Sequence, residues 1–494
     1  MLATPEFMVQ IAKGNYFYSV LYLFLYFGVA YIFLFVIDFS RKASLILKPL
    51  FFIILTGYTV LNLYCIATYH TRLTYDFIEI IAATNAEETR EYLSMYVGWK
   101  EYCLIFLAVF ISFSLYYFCD RLSGNRRFGI SGKITAVMLI CSVISVFINP
   151  TLKSEMVMWN FNFEDVADLS KYPSNPKVQL YDTVAPPEFL IVIIGESHSR
   201  SHSSLYGYDK LTNPLMTLQR DSGNLFVFNN VNSAATNTSN AFKYLLNTFK
   251  LGEENQKKWY KTTHLVEVLK KGGYSTYWYS NQAALGLYNN LSSGAAKLCD
   301  DAVFIREFSN DKRYDAELAE ITVPDTAARK AVFYHLMGQH VLFDERYPET
   351  FHHFKISDYN GSKYTETQKE MVAKYDNATL YNDYTLSTII EKFADKDAVI
   401  FYFPDHGLDM YDTEEDYIGH ALQTPESQKK GKEIPFLVYL SPLYRQQHPA
   451  ITERIKNSVD KPFTTDKVIY SVMDAIGLKF ADNKEVEEFS LFTN

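Results

Sequence analysis

Glu196 closes the aliphatic run of "IVIIGESHSRSHSSLYGY", residues 191–208, in company with two histidines, an arginine and several serines. A strand followed by Gly-x-Ser is how the nucleophile elbow of serine hydrolases begins, but that elbow needs glycine on both sides of its serine for the strained turn. Here Ser197 is followed by His198 and Ser199, so the elbow fails. The residue with chemistry in this stretch is Glu196, an oxygen ligand at a strand tip. His198, His202 and the serines read as a solvated loop or cap.

Two further apolar runs end in residues of metal-ligand type. "AVFYHLMGQH" carries His335 and His340, and "AVIFYFPDHG" carries Asp405 and His406. Carboxylates with imidazole suit zinc or manganese, and without nearby thiolates the pattern points to a catalytic rather than a structural metal site. A lone Asp-His pair is commonly a turn with a satisfied histidine. Three such groups at three strand ends make a convergent site the better reading.

The elements that must position these residues are short runs of continuous apolar character: "FLIVIIG", "LFVFNNV", "YSTYWYS", "AVFYHLMG", "AVIFYFPDHG" and "IPFLVYL". Continuous rather than alternating apolarity predicts strands buried on both faces, as in a mixed, largely parallel sheet between helices. "HLVEVLKKGG" and "DKVIYSVMDAIGL" have the amphipathic spacing of the covering helices. In open α/β sheets ligands gather beyond the carboxyl ends of the strands, which is where the polar residues fall.

The chain has 494 residues, and its apolar content is concentrated in the first third. Uncharged runs at 16–37, 49–69, 102–119 and 134–152 each approach the roughly 20 residues that cross a bilayer as a helix. Four transmembrane helices are expected. Arg41, Lys42 and Lys48 follow the first, and Arg121, Arg126, Arg127 and Lys133 follow the third, so those loops are expected on the cytoplasmic side. The intervening acidic loop and everything after residue 153 then lie outside. This orientation puts the N-terminus outside too, which suggests a missing or displaced first helix. The expected organisation is a transmembrane helical domain over 1–152, a polar linker over 153–187 and an external α/β/α domain over 188–494. A net charge of -9 without a basic stripe excludes nucleic acid as a partner. Cys65, Cys103, Cys119 and Cys141 fall in or at the apolar runs, which leaves Cys299 alone in the external domain without an internal disulfide.

In order along the chain, "GESHSRSHSSLYGYDKLTNPLM", "NSAATNTSNAF", "HLMGQHVLFDERYPETF" and "PDHGLDMYDTEEDYIGHA" resemble the motifs of the phosphoethanolamine transferases, membrane enzymes of the alkaline phosphatase and sulfatase superfamily. The "GQHxxxxxRYP" form is nearer the branch acting on lipopolysaccharide core sugars than the lipid A branch. The resemblance implies a sulfatase-like catalytic domain in the periplasm, anchored in the bacterial inner membrane by several passes. It implies one zinc, with a second possible, held by Glu196, Asp405, His406 and a nucleophilic threonine, Thr238, with Thr236 as the competing choice. If "SNAFKYLLN" opens a helix, its first amides would favour an incoming phosphate. His340 and His420 match positions that bind the transferred group, and Thr84 and Glu88 match contacts to the donor headgroup. The donor implied is phosphatidylethanolamine, and the acceptor is lipopolysaccharide or another envelope glycan or lipid.

The sequence departs from the family at Ile80, where an asparagine would stand, in lacking the disulfides of the lipid A branch, and in showing four apolar runs where five are common. Two rival functions remain open at this level: a phosphoglycerol transferase of the same superfamily, and a non-catalytic membrane receptor that keeps the fold.

Overall fold

The structure is a computed structural model and describes residue 16, 41–69, 73, 89–93, 97–99, part of 102–117, 169–181, 185–283, 291–308, 312–325, 327–413 and 416–493. Two compact units emerge, Met1–Ile81 with Tyr92–Asn162, and Ala82–Glu91 with Phe163–Asn494.

In the first unit, helix α1 spans Arg41–Tyr69. The basic stretch 41–48, expected as a loop, is helical, because nothing in it breaks a helix before Pro49. Ile53, Ile54, Phe106, Phe110 and Phe113 are exposed. Among the described residues no helix is long and apolar enough to cross a membrane. The expected span at 134–152, all of the one at 16–37 except Tyr16, and Cys119, Cys141, Thr84 and Glu88 lie outside the described residues.

The second unit is built on strands β1 Phe189–Gly195, β2 Leu225–Val227, β3 Ser275–Ser280, β4 Asp301–Phe304, β5 Lys330–His335, β6 Ala398–Pro404 and β7 Leu437–Leu440. They form one seven-stranded sheet in the order β2-β7-β6-β1-β5-β3-β4. The pairs β6-β1, β1-β5, β5-β3 and β3-β4 are parallel, and β7 is antiparallel to both neighbours. The expected mixed, largely parallel sheet is present.

Both faces are covered, which is why the strands read as unbroken apolar runs. Side chains alternate across a strand, so Leu190, Val192 and Ile194 of β1 enter one core and Phe189, Ile191 and Ile193 enter the other. On the first face lie α2 Thr238–Phe242, α3 Leu265–Lys271 and, near the C-terminus, a helix over Val468–Ala475, through Phe242, Val268, Leu269 and Val472. On the second lies α4, Glu366–Phe393, which sets Leu386, Ile389, Ile390 and Phe393 on one helical stripe against Ile191, Ile193 and Tyr402. Thr365 caps α4 in a reciprocal box with Gln368, each side chain bonding the other's backbone N–H at 3.3 and 2.8 Å.

Within the stretch expected as linker, Val178–Leu180 forms a strand paired antiparallel with Leu478–Phe480.

Candidate metal centre and nucleophile

Because β1 and β6 run parallel with Gly195 opposite Pro404, Glu196 and Asp405 leave the sheet together. The Asp405 N–H donates to the Gly195 carbonyl at 3.1 Å, one further rung of the ladder. His406 follows, with Nδ1 2.7 Å from the Gly407 carbonyl. If Nδ1 donates there, Nε2 is left facing Glu196 Oε1 at 3.2 Å and Asp405 Oδ2 at 3.6 Å. Glu196, Asp405 and His406 each offer one ligand atom within 4.8 Å of the others, and all three are buried.

Thr238 completes the cluster. It is the first residue of α2, whose cap is Asn237, with Oδ1 accepting from the Asn240 N–H at 2.9 Å. The Thr238 hydroxyl lies 3.4 and 3.3 Å from the two Glu196 oxygens and 3.4 Å from His406 Nε2. Thr236 instead packs its methyl beneath Gly431. At five residues α2 is too short for the expected helix-end field to amount to much.

Electrostatics shows why these residues suit a divalent cation. Burial alone would raise Glu196, but the His406 imidazole, with smaller help from His340 and Ser197, holds it well below the usual carboxylate range. Burial and the Glu196 charge push Asp405 up to about 7. Burial opposes charge on His406, yet Asp405 and Glu196 raise it to about 9. Two carboxylates therefore compete for one partially offsetting imidazole, and Asp405 Oδ2 is buried with no hydrogen-bond partner. An unpaired lone pair amid surplus negative charge, bounded by an imidazole nitrogen and a hydroxyl, is the donor set of a zinc-type ion.

The surroundings hold the ligands by their backbones. Ser197 adopts a left-handed φ of 55° while its hydroxyl donates to Glu196 Oε1 at 2.8 Å. Tyr375 of α4 donates to the Ser197 carbonyl and accepts from the Ser199 N–H, both at 2.7 Å. Gly338, at φ +51°, lies so close that a Cβ there would sit 2.8 Å from both the N and O of Glu196. The loop bearing Gly338 is itself pinned by buried Asp315, which accepts from the Met337 and Gly338 N–H groups at 2.9 and 2.8 Å.

The remaining candidates divide. The His420 ring centre lies 4.5 Å from that of His406, and desolvation together with the His406 charge pushes it down to about 3. His340 is near enough for its charge to bear on Glu196 and His420. His335 is buried among Phe242 and Trp278, away from the ligands. His198 and His202 are not solvated as expected: both are buried, His198 Nδ1 2.7 Å from the Tyr402 hydroxyl and His202 Nδ1 2.9 Å from Asp376. Their partners on β6 and α4 supply the hydrogen bonds that water was expected to make. Gln282 was missed by the sequence reading. It follows β3 in "YWYSNQ" and donates Nε2 to Glu196 Oε2 at 3.4 Å and to the Leu336 carbonyl at 2.9 Å. The same strand-end rule that found Glu196 would have found it.

Fold and site together define an α/β/α domain with a metal-ligand cluster and a poised hydroxyl at the carboxyl edge of its sheet. The family described as "Sulfatase" matches residues 188–478, and the chain belongs to that family. Its relatives include the phosphoethanolamine transferase EptC of Escherichia coli (strain K12), 29% identical over 306 residues that make up 60% of this chain and 52% of that protein. The chain spans about half the length of the curated relatives it matches. The C-terminal periplasmic domain of E. coli EptC in complex with zinc superposes with a TM-score of 0.57 at 25% identity, over 65% of this chain and 90% of that one. The integral membrane lipooligosaccharide phosphoethanolamine transferase A of Neisseria meningitidis shares the fold, with a TM-score of 0.68 at 17% identity over 99% of this chain and 95% of that one.

Proposed function

We propose that this protein transfers phosphoethanolamine from phosphatidylethanolamine to a lipopolysaccharide or other envelope glycan or lipid, through a covalent intermediate on Thr238. The observation that carries the reading is the Thr238 hydroxyl within 3.4 Å of both Glu196 oxygens and of His406 Nε2. The transferase relatives support the substrate class.

Glu196, Asp405, His406 and Thr238 are the residues that would hold zinc, whose Lewis acidity lowers the pKa of a hydroxyl and offsets charge on a phosphoryl group. The Thr238 oxygen forms the new bond to phosphorus as the bond from phosphorus to the glycerol oxygen breaks. The threonine proton leaves in net terms with diacylglycerol, and His340 and His420 are the imidazoles in reach to relay it. In the second half the acceptor hydroxyl bonds to phosphorus, the bond to Thr238 breaks, and the acceptor's proton restores the threonine. Thr84 and Glu88 are the residues we assign to the donor's ammonium headgroup.

The organisation proposed is a membrane-anchoring region over 1–152, a connecting segment over 153–187 and a periplasmic catalytic domain over 188–494, in a multi-pass protein of a bacterial inner membrane. Exposed Ile53, Ile54, Phe106, Phe110 and Phe113 suit a lipid environment better than water. The decisive experiment incubates the full chain with phosphatidylethanolamine and reads intact mass. A phosphoethanolamine adduct that maps to Thr238 is expected. A phosphoglycerol adduct, or none, would refute the reading. A reporter active only outside the cytoplasm should work when fused after residue 160.

A further inference from the structure

Glu91 is the last residue of Ala82–Glu91, which belongs to the same compact unit as the catalytic domain. Its carboxylate is nearly inaccessible, at 8% exposure, and Arg346 is more deeply buried, at 2%. Glu91 Oε1 lies 2.5 Å from Arg346 Nη2, and Glu91 Oε2 lies 3.3 Å from His340 Nδ1. The guanidinium also grips the chain at His340: Nε donates to the His340 carbonyl at 3.3 Å and to the Val341 carbonyl at 3.1 Å, and Nη2 donates to the Val341 carbonyl at 2.6 Å. Arg346 therefore holds the backbone of this histidine while Glu91 holds its ring. The two braces are tied to each other by a charge-assisted bond between residues 255 positions apart in the sequence.

We infer that Glu91 is a positioning residue for the transfer reaction, one that fixes the His340 imidazole by its Nδ1 edge and leaves Nε2 for the phosphoryl group. The inference rests on the transferase reading given above. A carboxylate behind an imidazole sets which nitrogen carries the proton and how the ring is turned, and loss of such an outer partner typically costs function by tenfold or more. Glu91 also neutralises Arg346, whose buried charge has three carbonyl contacts but needs a counter-ion. Neither residue touches Glu196, Asp405 or His406 in any contact described above, so the brace acts only through His340.

The test uses the full chain in phosphatidylethanolamine vesicles and follows the Thr238 adduct by intact mass, with melting temperature and zinc content measured on the same preparations. Glu91→Gln should slow adduct formation roughly tenfold with zinc content unchanged. In a His340→Ala background the same substitution should change the rate by less than about twofold, because its effect runs through the missing ring. Wild-type speed in Glu91→Gln, or an equal loss in both backgrounds, overturns the inference. If Glu91→Gln melts below the assay temperature, Glu91→Asp, which keeps a charge for Arg346, takes its place in the same cycle with the same two outcomes. Wild-type protein that forms no adduct overturns the transferase reading instead.

Discussion

Gly195 and Pro404 face each other in register across β1 and β6, the last paired rung before both strands leave the sheet. One residue further on, Glu196 and Asp405 are brought side by side, so a single parallel ladder sets the spacing of two carboxylates from opposite ends of the domain. A site built on strand ends inherits the rigidity of the sheet beneath it.

Removing one carboxylate therefore leaves the frame but not the charge. Glu196→Gln and Asp405→Asn are each expected to weaken zinc binding at least roughly tenfold and abolish the adduct while leaving the urea midpoint within about 1 kcal/mol of wild type. Metal analysis after dialysis checks the first part. Full zinc retention by either variant would contradict the assigned ligand set.

Thr236 and Thr238 can be separated directly. Thr238→Ala should form no adduct, whereas Thr236→Val, which preserves the methyl packed beneath Gly431, should form it at a rate within about threefold of wild type, a difference below about 1 kcal/mol. Peptide mapping of the adduct decides between them, and an adduct on Thr238→Ala would move the nucleophile elsewhere.

Gly338→Ala tests how closely the loop after β5 supports Glu196. A methyl at φ +51° is strained, and this one would meet backbone atoms at 2.8 Å. The expected cost is at least about 1–3 kcal/mol in urea unfolding, accompanied by weaker zinc binding. A variant as stable as wild type would show that the loop yields freely.

Buried His202 predicts an alkaline loss of stability. Burial opposes its charge, but Asp376, with Asp412, raises it to about 10, above the ordinary value near 6.5 that it regains on unfolding. A group raised on folding binds its proton more tightly in the native state. Its contribution is complete below about pH 6.5 and declines as pH rises toward 10. Melting temperatures at pH 6 and 9.5 should fall more steeply for wild type than for His202→Gln, with Tyr208 and Tyr359 still donating to Asp376. Parallel pH profiles for the two proteins would remove His202 from the account.

Much of this architecture is legible along the chain, for a definite reason. A strand covered on both faces has no polar alternation to confuse it, so "FLIVIIG" and "AVIFYFP" mark their own limits, and the polar residue after each marks the catalytic edge. What the chain conceals are partnerships between distant polar residues. His202 looks solvated because its partner Asp376 stands 174 positions away, and Glu91 looks like one more loop acid because Arg346 stands 255 away. Stretch 41–48 misled for the opposite reason: its charges suggest a loop, yet its backbone is helical.

The pairing of Val178–Leu180 with Leu478–Phe480 joins the chain's approach to the catalytic domain with one of its last segments. That arrangement works as a clasp. A soluble fragment begun at residue 188, where the family match starts, would discard one half of it and expose the backbone edge and apolar contacts of the other. A fragment begun before residue 169 keeps the clasp shut, and it is the one that should stay monodisperse on storage.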